Sequence, residues 1–106
     1  MIKTTVMKHA GSHRGFVISG HAGYAEEGYD IICSAVSALS VTTVNAIDSL
    51  AHVFVEATQE DGYISCQFPN GINSEGTLLM DSMILGMQSI RESYGKKYIQ
   101  VRFEEV

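Results

Sequence analysis

Residues 20–50 read GHAGYAEEGYDIICSAVSALSVTTVNAIDSL, and the second half of this stretch predicts a long helix. From Ile31 onward no glycine or proline interrupts the sequence, and apolar side chains recur at intervals of three and four residues. Asp30 directly precedes this pattern and is a favoured N-cap residue type. We therefore expect a buried helix of about five turns that begins after Asp30. Its expected core positions are Ile32, Val36, Leu39, Thr43, Ala46 or Ile47, and Leu50.

Two strand hairpins are predicted, one on each side of this helix. In each hairpin, two runs of apolar or β-branched residues are separated by residues that favour turns, HAGSHRG in the first and EDG in the second. In the last of these runs, Ile64, Cys66 and Phe68 share one face, which we expect to point into the core. The predicted strands are Ile2–Lys8 with Phe16–Ser19, and Val53–Gln59 with Tyr63–Phe68.

A second helix is predicted between Ser74, as its cap, and Gly95, as its stop. Its expected buried stripe consists of Leu79, Met83, Met87, Ile90 and Tyr94. Met80, Met83 and Met87 favour core packing, and the alternative is that they line a groove or a subunit contact.

The tail YIQVRFEEV alternates between apolar and polar residues and predicts a half-exposed strand. The element order is therefore β-β-α-β-β-α-β. We predict a fold of the α/β class, α+β type, with a mostly antiparallel sheet and two packed helices. One domain is expected to span residues 1–106.

The overall composition restricts the class of partner and the compartment. The formal net charge of −5 disfavours direct nucleic-acid binding, which usually relies on clustered Lys and Arg, and suits a basic protein partner better. Two cysteines without signal-peptide features predict a reducing cytoplasm. Residues 31–47 carry no charge, but Ser, Thr and Asn within them indicate a helix buried in protein and not a membrane span.

Cys33 is the third residue of the predicted helix, where unpaired N–H groups and the helix dipole stabilise a thiolate. The Asp30 carboxylate opposes this effect unless it turns into the cap. His21 supplies a cation or a base, which is the logic of a Cys-His pair. The alternative is that Cys33 is a small core residue and His21 a turn residue.

The other polar candidates favour structural interpretations. Cys66 is predicted to lie in the core, and His9, His13 and His52 are predicted to be polar groups at turns or helix ends, with no partner at an informative spacing in the sequence. Ser37 shares the helix face of Cys33, where its hydroxyl either orients a substrate or bonds back to the preceding turn. No ligand spacing for a metal is present, and we expect no metal and no cofactor.

In residues 20–40, GHAGYAEEGYDIICSAVSALS, the sequence resembles the ribosomal-processing cysteine protease family, Prp. The overall length and the predicted element order are also similar to those of that family. Where many relatives have alanine after the cysteine, this chain has Ser34. The residues that fall in the family's order and spacing are Gly20, His21, Ala22, Gly23, Tyr24, Ala25, Gly28, Asp30, Cys33, Ala35, Val36 and Ser37.

The resemblance implies a homodimeric cysteine protease that removes a short N-terminal extension from a large-subunit ribosomal protein precursor. Cys33 would be the nucleophile and His21 the general base and acid, with oxyanion stabilisation by N–H groups at the helix start. Asp30 would be a third catalytic residue only if it faces His21. The family also implies that the loop between the pair moves, and Glu26 and Glu27 in it either attract a basic substrate segment or keep the loop in water. The residues expected to support the site or bind substrate are Gly20, Gly23, Tyr24, Gly28, Asp30 and Ser37.

Two other functions stay open on the residues alone. One is a non-enzymatic ribosome-associated binding module in which Cys33 is part of the core. The other is a thiol redox protein, which is disfavoured because the chain has no C-x-x-C motif and Cys66 lies on a predicted core strand.

Overall fold

A computed structural model describes residues 1–26 and 30–106. It contains the predicted element order, β-β-α-β-β-α-β, with both helices packed on one mixed sheet. The elements are β1 (Ile2–His9), β2 (Ser12–Ser19), α1 (Ile31–Ser49), β3 (Glu56–Glu60), β4 (Tyr63–Gln67), α2 (Ser74–Tyr94) and β5 (Ile99–Glu105).

The sheet has the strand order β3-β4-β2-β1-β5. Three of its four pairings are antiparallel, and only β5 runs parallel to its neighbour β1, with Ile2 opposite Ile99. Because β4 lies beside β2, Tyr63 at the start of β4 pairs with Ser19 at the end of β2. This register places the β3–β4 turn next to the residues that follow β2.

The core lies between the sheet and α2, with α1 packed alongside. Its fully buried side chains include Val6, Phe16, Cys66 and Phe68 from the sheet side. Met80, Met83 and Met87 of α2 are also completely buried, which confirms the prediction that these methionines pack in the core. Burial of one such side chain contributes about 1.5–3 kcal/mol, so this layer supplies much of the driving force for folding.

The predicted buried stripe of α1 is partly wrong. Ile32, Val36, Thr43 and Ile47 are buried as expected, but Leu39 is only half-buried and Leu50 is 73% exposed. Leu50 lies beyond the last helical turn, as the C-cap. Ser40 is buried in the stripe because its hydroxyl donates to the Val36 carbonyl at 2.8 Å, which removes the cost of burying a polar group.

Helix α1 is also less buried than predicted. One face packs against the core, and the other exposes polar residues that include Ser37, Thr42 and Asn45. In the described part of the chain, α1 is the one helix that is long and apolar enough to cross a membrane by length and composition. Core helices of soluble proteins pass the same test, and α1 buries Ile32, Val36, Ser40, Thr43 and Ile47 along one face.

The N-cap of α2 and part of its buried stripe differ from the prediction by one residue. Asn73, not Ser74, is the N-cap, and its side-chain oxygen accepts the Gly76 N–H at 2.8 Å. The buried positions include Met80 and Ile84, whereas Tyr94 is 43% exposed because it lies in the last turn, beyond the core. Gly95, with a φ of 119°, ends the helix as predicted.

Two strands begin several residues away from their predicted starts, and the other strand boundaries differ by at most one residue. β2 begins at Ser12 and not at Phe16, because an irregularity in β1 between Met7 and Lys8 lets Ser12–Gly15 continue the pairing. β3 begins at Glu56 and not at Val53, because the Val53 N–H donates to the Ile47 carbonyl at the end of α1.

His13 was predicted to be a polar group at a turn or helix end, and this is wrong. It lies on β2, is only 3% exposed, and its Nε2 is 2.8 Å from Asp81 Oδ1 on α2. The pair links the sheet to the helix that covers it. Within the described residues, His13 Nδ1 is a buried polar atom without a hydrogen-bond partner.

Candidate active site

The start of α1 is fixed by Asp30. This residue is the N-cap, and its Oδ1 accepts the N–H groups of Ile32 at 3.0 Å and Cys33 at 3.1 Å. Its Oδ2 accepts the Tyr24 N–H at 3.0 Å. Burial raises the pKa of Asp30, but the N–H donors of Cys33, Tyr24, Ala25 and Ile32 outweigh burial and hold that pKa below its ordinary value. The carboxylate is therefore charged, and its oxygens accept backbone N–H groups both from the helix and from the loop before it.

Asp30 therefore does not meet the condition set for a third catalytic residue, which was that it face His21 instead of capping the helix. Its cap also changes the expected oxyanion site. Unpaired N–H groups were expected at the helix start, but those of Ile32 and Cys33 are occupied by Asp30 Oδ1. The donor that lies at the sulfur is the Ala22 N–H, 3.3 Å from Cys33 Sγ.

Cys33 is in the first turn of α1, as predicted, and is half-buried. Burial raises the pKa of the Cys33 thiol. The Ala22 N–H lowers that pKa and the nearby Asp30 carboxylate raises it further, so the net pKa lies above its ordinary value. A helix N-terminus alone was expected to favour the thiolate. In this structure burial and Asp30 prevail, so proton removal needs a base.

His21 follows β2 and carries an exposed imidazole. The ring lies against the β3–β4 turn, and a Cβ built on Gly62 would be 2.7 Å from His21 Nε2. The backbone is held at the same place, since the Gly20 N–H donates to the Gly62 carbonyl at 2.9 Å. Among the described residues the imidazole makes no hydrogen bond to Cys33, although both side chains line one cavity.

This cavity has a volume of about 600 Å³ and brings together most of the predicted site. Its apolar wall is formed by Ile2, Ile18, Val36 and Ile64. The predicted residues that line it are Gly20, His21, Gly23, Asp30, Cys33 and Ser37.

The β3–β4 turn completes the cavity, and sequence reasoning missed this contribution. Glu60, Asp61, Gly62 and Tyr63 all line it. The turn itself was recognised from EDG in the sequence. Its position beside His21 follows only from the pairing of β4 with β2, which a single sequence does not specify.

Ser37 lies on the cavity wall one helical turn after Cys33. In the part of the chain that the structure describes, its hydroxyl does not bond back to the preceding turn, unlike that of Ser34, which donates to the Asp30 carbonyl at 3.1 Å. Ser37 is therefore available to a ligand.

Two of the predicted glycines have positive φ, Gly20 at 96° and Gly23 at 71°. At Gly20 a Cβ would lie 2.4 Å from the Met1 carbonyl oxygen, so a close approach requires this glycine.

Tyr24 anchors the loop between His21 and Cys33 to the far end of α2. Its ring meets those of Tyr94 and Tyr98 edge-on, with centroid distances of 5.7 and 5.2 Å. Tyr24 does not line the cavity, so its contribution is to hold the loop. Gly28 and Glu27, which the sequence placed in this loop, lie outside the described residues.

The described residues include no group of three or more His, Cys, Asp or Glu side chains arranged to hold a metal ion. The arrangement is that of a thiol with an N–H donor at its sulfur and an imidazole in the same cavity. Such a site can carry out nucleophilic attack on a carbonyl once the thiol loses its proton.

Comparisons with known proteins agree with this chemistry. The family model described as cysteine protease Prp matches residues 1–100. The ribosomal processing cysteine protease Prp of Bacillus subtilis (strain 168) is 31% identical over 101 residues, which are 89% of this chain and 90% of that protein.

Two crystal structures of an essential ribosomal processing protease Prp from S. aureus have the same fold. The complex with a covalently linked product peptide gives a TM-score of 0.90 at 27% identity, covering 98% of this chain and 100% of that chain. The complex with a substrate peptide gives a TM-score of 0.85 at 26% identity with the same coverage.

Proposed function

Because the chain belongs to the Prp family of cysteine proteases, we propose that it removes the N-terminal extension of a large-subunit ribosomal protein precursor, with Cys33 as nucleophile and His21 as general base and acid. The observation that carries the proposal is the arrangement at Cys33. Its sulfur accepts the N–H of Ala22, the neighbour of His21, and the imidazole and the thiol line one cavity. The relatives from B. subtilis and S. aureus are named for ribosomal processing, and one S. aureus complex holds a substrate peptide.

The proposed reaction proceeds through a thioester. His21 takes the Cys33 thiol proton, the sulfur attacks the peptide carbonyl carbon, and the carbonyl oxygen becomes an oxyanion. Collapse of this intermediate breaks the C–N bond, and His21 returns the proton to the leaving amine. Water, deprotonated by His21, then cleaves the thioester, releasing the extension as a carboxylate and regenerating the thiol.

The raised pKa of Cys33 gives His21 a specific task in this scheme. A thiol with a raised pKa is protonated at neutral pH, so the free enzyme does not rely on a preformed thiolate. His21 is the base that lines the same cavity as the thiol. The Ala22 N–H is already at the reacting atom and supplies one preorganised donor for the charge that develops there.

Cleavage of the ribosomal precursor by purified protein tests this proposal. Cys33→Ala and His21→Ala are both expected to abolish cleavage, because each removes one partner of the proton transfer. Cys66→Ala is the matched control, since it removes a thiol that lies outside the cavity and is expected to leave cleavage within about twofold of the wild type. Full cleavage by Cys33→Ala would refute the assignment of the nucleophile, and rapid cleavage by His21→Ala would remove His21 from the mechanism.

Neither alternative function receives support from the structure. Family membership makes the chain a protease and not a passive binding module. A redox role would need a resolving thiol, but Cys66 is fully buried and burial raises its pKa to about 11, so it is almost entirely protonated at neutral pH.

The proposal includes a homodimer. The support is an incompletely covered face: all five residues of β3 are exposed, and a groove of about 210 Å³ between α1 and β3 is lined by Val41, Val44, Ala57 and Ile64 among others. A second copy of the chain would cover this apolar groove. Light scattering after size exclusion should give twice the monomer mass, and Val44→Glu should lower it to that of a monomer.

The remaining parts of the proposal concern compartment and partners. We place the protein in the cytoplasm, because Cys33 and Cys66 are both free thiols. Its net charge of −5 favours the basic ribosomal protein itself as the partner, without direct contact to nucleic acid.

A further inference from the structure

We propose that Gly62, in the turn between β3 and β4, is a positioning residue for the His21 imidazole. Because glycine has no side chain, the ring can lie directly against the backbone of the turn at the wall of the cavity. This inference rests on the proposed function, since it concerns how the base of that reaction is held.

The first observation is the contact between the ring and the turn. A Cβ at Gly62 would lie 2.7 Å from His21 Nε2, 3.2 Å from Cε1 and 3.4 Å from Cδ2. A Cβ essentially never approaches another heavy atom within 3.0 Å, so the ring occupies the space that a side chain at residue 62 would fill. Nε2 is the nitrogen at the far end of the ring, and its position is therefore set by the turn.

The second observation is that the same glycine holds the backbone that precedes His21. The Gly20 N–H donates to the Gly62 carbonyl at 2.9 Å, in continuation of the pairing between Ser19 and Tyr63. On the other side of His21, the Ala22 N–H lies at the Cys33 sulfur. His21 is thus held between the turn and the nucleophile, with its ring on the turn side.

An added methyl group at residue 62 would move the ring before it would disturb the fold, because the imidazole is exposed and can rotate. Gly62 also has a φ of 69°, which is strained for alanine. The two effects can be separated. Asn tolerates positive φ but carries a Cβ, so Gly62→Asn keeps the steric effect with less strain.

At two other glycines, alanine would have the same backbone strain from a positive φ but would touch no neighbouring side chain. Gly11 has a φ of 81° and Gly71 a φ of 83°, and a Cβ at either would meet no atom within 4 Å. Neither lines the cavity. Gly11→Ala and Gly71→Ala are therefore matched controls for Gly62→Ala.

The experiment measures kcat and KM on a synthetic peptide that spans the junction of the extension, as a function of pH, together with the NMR signals of the His21 imidazole. Gly62→Ala and Gly62→Asn are expected to lower kcat by about tenfold or more, with KM within about twofold, because small misplacements of a catalytic group are costly. The NMR signals of the His21 imidazole should shift in both variants. Gly11→Ala and Gly71→Ala should match the wild type in kcat and in these signals.

Values of kcat for both Gly62 variants within twofold of the Gly71→Ala control, with unshifted His21 signals, would overturn the inference. His21→Ala distinguishes its failure from that of the proposed function. If His21→Ala is inactive while both Gly62 variants are normal, the positioning role alone is wrong. If His21→Ala cleaves rapidly, the role of His21 in the reaction is wrong, and the positioning role falls with it.

Discussion

At the scale of single residues, the site depends on opposing effects on one sulfur atom. The Ala22 N–H stabilises negative charge on Cys33, whereas burial and the Asp30 carboxylate disfavour it, and their sum raises the thiol pKa. Asp30 cannot be removed without cost, because its carboxylate satisfies N–H groups of both the helix and the loop. The helix start is thus stabilised by a group that makes the proposed nucleophile harder to ionise. In the proposed mechanism, the ionisation step therefore depends on the imidazole and on substrate binding.

The raised pKa predicts how the free enzyme reacts with iodoacetamide. Alkylation requires the thiolate, so the rate at Cys33 should rise with pH along a curve whose midpoint lies above that of a free model thiol. Asp30→Asn, which keeps an N-cap side chain but removes the charge, should lower this midpoint. Rates are measured by mass spectrometry in a Cys66→Ala background. A midpoint at or below that of the model thiol would contradict the electrostatics described for the resting site.

At the scale of elements, the site is assembled from the ends of several segments. The end of β2 supplies His21, the start of α1 supplies Cys33, and the β3–β4 turn supports the ring. The loop between the pair is attached to α2 through the edge-on contacts of Tyr24 with Tyr94 and Tyr98. Elements distant in sequence therefore influence the distance between the two proposed catalytic residues.

Removing one of these rings should loosen the loop without unfolding the protein. Tyr94 is 43% exposed and lies in the last turn of α2, and an aromatic pair contributes about 0.5–1.5 kcal/mol. In Tyr94→Ala we expect faster hydrogen exchange at the Tyr24 amide and a lower kcat/KM, with a loss of stability of about 1 kcal/mol. Tyr94→Phe keeps the ring and should behave like the wild type. Unchanged exchange at Tyr24 in Tyr94→Ala would show that the contact does not hold the loop.

The elements also show which features the sequence could predict. Asp30 as a cap, Cys33 in the first turn and the inner face of β4 all follow from local patterns, and the structure has them as predicted. The contact between Gly62 and His21 and the His13–Asp81 pair do not follow from local patterns, because each joins residues that are far apart in sequence. The sign of the Cys33 pKa shift was also inaccessible, since it depends on burial, which a helix position alone does not determine.

At the scale of the whole molecule, a second thiol makes the stability depend on pH. Cys66 is fully buried in the sheet, and burial raises its pKa from 9.0 to about 11. In the unfolded chain the same thiol ionises at its ordinary pKa. The folded state therefore keeps its full stability below about pH 9 and loses the contribution of Cys66 as the pH rises towards 11.

The loss over this interval should amount to about 3 kcal/mol of unfolding free energy. Urea unfolding between pH 8 and pH 11 measures it, with Cys66→Ala as the comparison. The wild type should lose its stability advantage over Cys66→Ala as the pH rises, because tyrosines and lysines titrate equally in both proteins. A difference that stays constant with pH would show that Cys66 ionises as readily in the folded protein as in the unfolded one.

The contacts around Asp30 have a consequence for the entropy of assembling the site. The Tyr24–Asp30 hydrogen bond closes a ring between residues six apart, and this ring lies inside the ring closed by Ala22 and Cys33, which are eleven apart. Because the cost of closing a ring grows as the logarithm of the number of free residues in it, the inner closure lowers the cost of the outer one by about 0.5 kcal/mol. The contact between Ala22 and Cys33 thus closes around a ring that the helix cap has already closed. Residues inserted between Tyr24 and Asp30 would lengthen both rings.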